Sequence, residues 1–513
     1  MNPTIHSRMD SRKREILGRL DKGNFPHDLS RPVIGGPTPH YELAGRATAT
    51  AYGGIGLVHQ FVQELGLAEA INSQLKLFKV HLPYHESDHV LSLAYNALCQ
   101  GQCLQDLENR RQDLAYLNML GAERIPDPTT AGDFCRRFQT HHLESLQAAF
   151  DVCRRQVWAL QPAAFFDEAR IEADGTMVET GAERKQGIDI SYKGVWGYHP
   201  LVLTLANTGE VLRLLNRSGN RPSHEGAAAQ FDQCIDMCRA AGFRRIVLRG
   251  DTDFSQTTHL DRWHAQDDVF FVFGYDRNKS VNALAEDLPD SAWHKLKRPE
   301  KYQVKTKPRT KPAEVKQPIV EARGFMDIQL LEEWVAEMDY RPVACSHTYR
   351  MVVVRKTQRV SDPQQGKLFE RYEYFFYITN DTSLTTEEVV FSANDRCHQE
   401  NLVAQLKALR ALHAPVDNLT SNAAYMLITS LAWNLKAWMA LRLPETGRWK
   451  EKHHEQKQTL LKMEFRTFIN TWLLIPCQVL TTGRKLVLRY LAWNTWQPVF
   501  FRLASALSRP LLR

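Results

Sequence analysis

The sequence predicts a mixed α/β protein: a mixed sheet flanked by helices, interrupted by a partly β insertion and bracketed by helical regions. Three observations predict this class. Between residues 164 and 275, short apolar runs alternate with helical patterns. On either side, over 46–160 and 385–513, apolar residues recur at helical spacing. Between them, over 276–384, that alternation breaks into a basic run followed by new strand-like segments.

In order along the chain, residues 1–45 are polar and dense in Pro and Gly, as at Pro26, Pro32, Gly35-Gly36-Pro37 and Pro39, so a flexible arm is expected. Residues 46–160 read as an all-α domain, broken at Gly101 and at Pro126-Asp127-Pro128, with a helix start at Thr129-Thr130. In 164–275, Arg170 to Val178 alternates as a strand. Leu201–Leu205 and Val211–Leu215 flank Asn207-Thr208-Gly209, a hairpin signal. A helix from about Ser223 to Ala241 leads into the strand Ile246–Leu248, and a further helix leads into the strand Val269–Phe273. The insertion, 276–384, opens with cations at 295, 297, 298, 301, 305, 307, 309, 311 and 316, then offers strands at Tyr349–Val354 and Tyr372–Ile378. From 385 to 445 helices return, including a long pattern from Asn394 to His413. Residues 446–513 form a basic, aromatic-rich region expected to be helical, including Arg484 to Tyr490.

Composition sets limits. With 65 Lys+Arg against 58 Asp+Glu the chain carries +7, compatible with a polyanionic partner without demanding one. Nine cysteines, an odd number with no Cys-x-x-Cys pair, indicate neither a disulfide framework nor a zinc ribbon, and point to a reducing, cytoplasmic compartment. The start of the chain lacks the apolar core of a signal peptide. Its most hydrophobic stretch, Ala423 to Leu441, contains Asn434 and Lys436, which favours a buried helix over a membrane span.

Three acids stand out. Asp174 lies in the strand-like run Arg170 to Val178, opposite Ile171, Ala173 and Met177. Asp251 follows the apolar strand Ile246-Val247-Leu248-Arg249 at a glycine. Glu400 belongs to the long helical pattern downstream. Carboxylates gathered from separate elements repel one another unless cations neutralise them, and hard divalent ions such as Mg²⁺ or Mn²⁺ prefer such oxygen ligands. At 100° per residue, with Arg396 at zero, Glu400 falls near about 40° and Lys407 near about 20°, while Leu402, Leu406 and Leu409 form a separate apolar stripe. Two accounts fit that spacing. One is an i,i+4 surface ion pair worth a few tenths of a kcal/mol. The other is a metal-ligand carboxylate flanked by two phosphate-binding cations.

At these residues the sequence resembles the DDE insertion-sequence transposases, in particular the transposase DDE group 1. Arg396, Glu400 and Lys407 match the family's spaced Tyr, Arg, Glu, Lys motif, with Ala393 where the family has tyrosine. Arg249-Gly250-Asp251-Thr252-Asp253-Phe254 is similar to the family's Arg-Ala-Asp-Ser-Gly-Phe, with Asp253 in place of a small residue. Likeness extends to Tyr84-His85-Glu86-Ser87-Asp88, Tyr198-His199-Pro200-Leu201, Ser421-Asn422-Ala423-Ala424 and Leu431-Ala432-Trp433-Asn434-Leu435, covering roughly 45–495. The resemblance implies an RNase H-like catalytic domain in two parts, 164–275 and 385–445, split by the insertion. It agrees with the separations: 77 residues from Asp174 to Asp251 and 149 from Asp251 to Glu400. It implies further that Asp174, Asp251 and Glu400 bind Mg²⁺, that Arg396 and Lys407 hold DNA phosphates, and that the chain cuts terminal inverted repeats and joins the ends to target DNA. A homodimer pairing two DNA ends, without membrane attachment and with a bacterial, nucleoid-associated location, is the implied assembly. The helical domain 46–160 and the basic run, with Lys305, Lys307, Arg309 and Lys311, are candidates for further DNA contacts.

Competing readings remain. A non-cutting DNA-binding protein of transposase descent would have no need of three acids in a basic chain, and an RNase H-like nuclease would use the same ones. His85-Glu86-Ser87-Asp88-His89 matches the His-Glu-x-x-His pattern of zinc peptidases, but Ser87 as helix N-cap would leave His85 outside the helix. Trp196, Trp293 and Trp334 are candidates for stacking on a base, with core packing as their ordinary role.

Overall fold

Seven strands of one sheet are contributed by segments scattered over two hundred residues. In order across the sheet they are His294–Lys295, Asp327–Tyr340, Tyr349–Asp362, Lys367–Thr379, Val269–Tyr275, Ile246–Gly250 and Ala169–Gly175. The last three run parallel, with Glu172 opposite Arg249 and Arg249 opposite Val272. Val269–Tyr275 is antiparallel to Lys367–Thr379, and the long strands beyond continue antiparallel, so the sheet is mixed. This computed structural model describes residues 3–20, 40–41, 48–80, 83–298, 316–324, 327–362, 367–482 and 485–507. Two compact units emerge: 166–175 with 222–400, which holds these strands, and 1–165 with 176–221 and 401–513.

Neighbouring residues of one strand face opposite sides of a sheet, and the strand Val269–Tyr275 uses both. Val272 joins a buried aliphatic cluster with Val335, Val352, Val354, Val389 and Val390, so the helix Thr386–Asn394 covers one face. Phe273, one residue on, packs its ring 5.9 Å from Trp263, which lies 5.8 Å from Phe231. The helices Ala227–Ala241 and Thr257–His264, carrying Phe231 and Trp263, therefore cover the other face. Parallel strands buried on both sides read as unbroken apolar runs, as Ile246-Val247-Leu248 does.

The other unit is mostly helical. Leu419–Leu441 is buried along almost its whole length, and backbone groups take up its buried Asn434 and Lys436. Asn434 accepts from the Val211 amide (2.8 Å) and donates to the Val211 carbonyl (3.0 Å), while Lys436 donates to the carbonyls of Leu461 and Met463. Among the described residues no helix is long and apolar enough to cross a membrane. Leu201–Leu205 and Glu210–Leu215 form the expected hairpin. Its Glu210, fully buried, accepts from Arg154 Nε (3.1 Å), Trp158 Nε1 (2.9 Å), Trp438 Nε1 (2.6 Å) and Thr208 Oγ1 (2.6 Å).

Some segments differ from their sequence expectation. Within the N-terminal arm, Pro3–Leu20 is a helix. Lys485–Tyr490, expected to be helical, is a strand paired with Cys477–Thr482, which also pairs with Thr48–Thr50. Alternation decides it: Leu488 and Tyr490 are half-buried where Val487 and Arg489 are exposed, a period of two. The nine cysteines are free thiols.

Candidate functional site

Asp174 and Asp251 are brought together by strand register. Glu172 and Arg249 are partners on adjacent parallel strands, and two residues beyond that pairing each chain segment carries an aspartate. Both acids therefore emerge at the carboxyl ends of neighbouring strands, where open α/β sheets bind ligands. Beneath them Glu172 and Arg249 form a buried ion pair, and Arg249 Nη1 also donates to the Ser392 carbonyl (2.8 Å). That second bond ties the strand pair to the helix Thr386–Asn394. The Arg249 guanidinium makes the burial of Glu172 tolerable, although burial still pushes its carboxyl up.

Glycines let the chain turn at Asp251. A side chain at Gly250 would meet Phe254 Cβ at 2.5 Å, and one at Gly274 on the adjacent strand would meet the Thr252 amide nitrogen at 2.8 Å. Asp251 caps the short turn Thr252–Phe254, its Oδ1 accepting from the Asp253 amide (3.1 Å). Asp253 is thus a first-turn residue of that helical turn, exposed to solvent, and its charge raises the Asp251 carboxyl as well.

On the Glu400 side the helix expected over Asn394–His413 runs over Cys397–Ala408 only, and a separate helix, Thr386–Asn394, ends just before it, with Asp395 and Arg396 in the turn between. Asn394 and Asp395 are poor helix interiors and readily end one. The break releases Arg396 from the helical stripe: its guanidinium lies 3.6 Å from Asp251, and its ion partner is Asp251 rather than Glu400. Glu400 is exposed in the first turn of its helix, where the helix dipole favours an acid.

Asp251, Arg396, Glu400 and Ala393 line a cavity of about 500 Å³ with Tyr275, Arg277 and Tyr377. Asp174, half-buried, feels all the site charges: burial first, then the repulsion of Asp251 and Glu400, push its carboxyl up to about 6 against the pull of Arg396. Asp251 is raised by burial, with Asp253 and Asp276 adding to it and Arg396 opposing. Arg396 Nε is buried and has no hydrogen-bond partner among the described residues. Among those residues no three His, Cys, Asp or Glu side chains are close enough together to hold a metal ion. Asp174 is in electrostatic contact with Arg396, Asp251 and Glu400, and among the described residues the three acids are not drawn into one coordination shell.

Other sequence candidates fall elsewhere. Lys407 lies in the last turn of the Glu400 helix and is not among the cavity-lining residues. Lys305, Lys307, Arg309 and Lys311 lie outside the described residues. In the His-Glu-x-x-His segment, His85 is the exposed N-cap of the helix Glu86–Leu98, and Glu86 is buried, accepting from the Leu77 (2.9 Å) and Phe78 (3.1 Å) amides. That glutamate is a loop clamp rather than a group beside His85. Trp293 is buried under Arg355 (4.2 Å), Trp334 donates to Glu332 (3.1 Å), and Trp196 is half exposed. Tyr275, Asp276 and Arg277 were missed, although Tyr275 ends an apolar strand and the other two follow it as Asp251 follows its own.

Acids delivered by parallel strand ends and by a helix, with a partly unsatisfied guanidinium beside them, define an α/β protein with a charged cleft. Residues 41–510 match the family Transposase DDE domain group 1, and the chain belongs to that family of transposases. Among solved structures it matches the cryo-EM structure of piggyBac transposase synaptic complex with hairpin DNA. The identity is 10%, with 91% of this chain and 89% of that chain covered and a TM-score of 0.31, a likeness too distant to add to the family assignment. No curated protein matches the chain.

Proposed function

We propose that the chain is the DNA transposase of an insertion sequence, cutting DNA at the terminal inverted repeats and joining the 3′ ends to target DNA. The observation that carries this is that Asp174 is acted on electrostatically by Arg396, Asp251 and Glu400, with Arg396 3.6 Å from Asp251, in a chain of this family. In this reading 164–275 and 385–445 make up an RNase H-like catalytic domain, 276–384 is its insertion, 46–160 binds DNA, and 446–513 is a basic C-terminal region. The synaptic assembly is a homodimer.

The donor set suits a hard divalent ion: three carboxylates, of which Asp174 is raised first by burial and then by the charges of Asp251 and Glu400. Asp174, Asp251 and Glu400 would hold Mg²⁺, with Mn²⁺ as substitute, in a two-ion site. When bound, the ions supply Lewis acidity that activates the attacking hydroxyl and stabilises the leaving oxygen. Each carboxylate must be ionised for this, so Asp174 is competent above about pH 6. Arg396, with an N–H left over, would orient a DNA phosphate beside Asp251, and Lys407 would hold a second. Ala393 offers no phenol at the cavity wall, where Tyr377 stands instead.

The experiment is DNA nicking by the purified chain with Mg²⁺ or Mn²⁺ on duplexes carrying the element's inverted repeats. Asp251→Asn is expected to abolish nicking while DNA binding survives. Equal nicking by that variant would sink the assignment.

A further inference from the structure

A second cavity, of about 510 Å³, lies within the helical unit and takes no part in the site above. Its walls are aromatic: Phe78, Tyr84, His89 and Phe134. His89 and Phe134 stack at 4.4 Å with planes 6° apart, and both are buried; Phe78 lies 5.5 Å from His89 and 5.8 Å from Phe134. Phe78 and Tyr84 are only half-buried, so ring surface faces the opening.

Two further observations indicate what the cavity takes. His89 is 2% exposed, yet its Nδ1 has no hydrogen-bond partner among the described residues, and burial pushes the imidazole down to about 4, so the ring is neutral at pH 7. A buried polar atom left in this state favours a ligand with its own donor or acceptor. Exposed cations also surround the opening: Arg137 stands 5.3 Å over the Phe78 ring, Arg124 5.8 Å over Tyr84, and Lys79 beside them. Among the described residues the one acid lining the cavity, Asp133, is paired with Arg136 at 2.8 Å, while Glu86 and Asp127 lie close enough behind the wall to act on His89. Flat apolar walls, one unsatisfied ring nitrogen and a cationic rim match a nucleobase joined to its phosphates. The volume is within the range of small-ligand sites, about 300–1,000 Å³.

We propose that this cavity receives one unstacked base of a DNA strand, held against Phe78 and Tyr84 and reached by His89 Nδ1, while Lys79, Arg124 and Arg137 hold the flanking phosphates. The proposal rests on the reading of the chain as a DNA-handling enzyme, and adds a base-capturing site remote in sequence from the acids.

The test is 2-aminopurine fluorescence on a duplex with that base extrahelical, compared with the same duplex carrying an abasic site. The full chain is expected to quench the probe and to bind it about tenfold more tightly than the abasic duplex. Phe78→Ala should remove the quenching, and Lys79→Ala with Arg137→Ala should weaken both duplexes about tenfold. The two cations are exposed, so their variants remain informative if Phe78→Ala fails to fold. Equal affinity for the two duplexes, or quenching unchanged in a folded Phe78→Ala, would overturn the proposal. So would displacement of the probe by free dAMP at the concentration of the duplex, which would mean a nucleotide site. Asp251→Asn should quench fully: quenching without any nicking by the wild type would remove only the transposase reading, and nicking without quenching only this one.

Discussion

Replacing Asp174 by asparagine should make the protein more stable at neutral pH while ending catalysis. The usual aspartate value of 3.8 is raised to about 6 in the folded chain, chiefly by burial and then by Asp251 and Glu400. A shift of about 2 units, at 1.36 kcal/mol per unit, is about 3 kcal/mol. The sign follows from proton binding. Between pH 3.8 and about 6 the folded state holds a proton that the unfolded state has released, so stability falls as pH rises through this window and levels off above it. Asparagine has nearly the same shape and no titration. It should match the wild type below about pH 4 and exceed it by up to about 3 kcal/mol above pH 6. Urea unfolding at pH 4, 5, 6 and 7, followed by circular dichroism, measures the difference. Mg²⁺ should narrow the gap at pH 7 by stabilising only the carboxylate form. A variant less stable than the wild type at pH 7, or one showing the same fall between pH 4 and 6, would refute the electrostatic account of the site.

Arg396→Gln should raise both Asp251 and Asp174, since Arg396 holds both down. At 3.6 Å and an effective dielectric of about 20 the Asp251 pair is worth roughly 4–5 kcal/mol before screening. Because the Asp251 side chain is 41% exposed, about 1–2 kcal/mol is the usable figure. The acidic limb of the pH–nicking profile should therefore move up by about one unit, and an unmoved limb would mean that Arg396 does not set these acids. In the helical unit, Glu210→Gln takes the charge opposite buried Arg154 and turns an amide toward donors, so unfolding should become easier by about 3–5 kcal/mol. A loss below 1 kcal/mol would show that Asp151 and the Val211 carbonyl suffice for Arg154.

Local pattern was enough to place the acids. The apolar run ending at Gly250 announced Asp251, alternation announced the Asp174 strand, and spacing put Glu400 on a helix with Lys407 further along the same stripe. The motif around Arg396, Glu400 and Lys407 carried the family resemblance that the match over 41–510 supports. Folding decided the rest. Glu172 and Arg249 lie 77 residues apart, and no periodicity reveals that they pair beneath the acids until two parallel strands set their register. The helix break at Asp395 likewise turned Arg396 from a helical neighbour of Glu400 into the partner of Asp251. The sequence by itself determined which acids and cations the chain offers and which elements carry them, because strand and helix periods are local properties of a few residues. Which charges face each other was a tertiary decision, because electrostatic coupling depends on distance and burial, and these exist only once remote segments have packed.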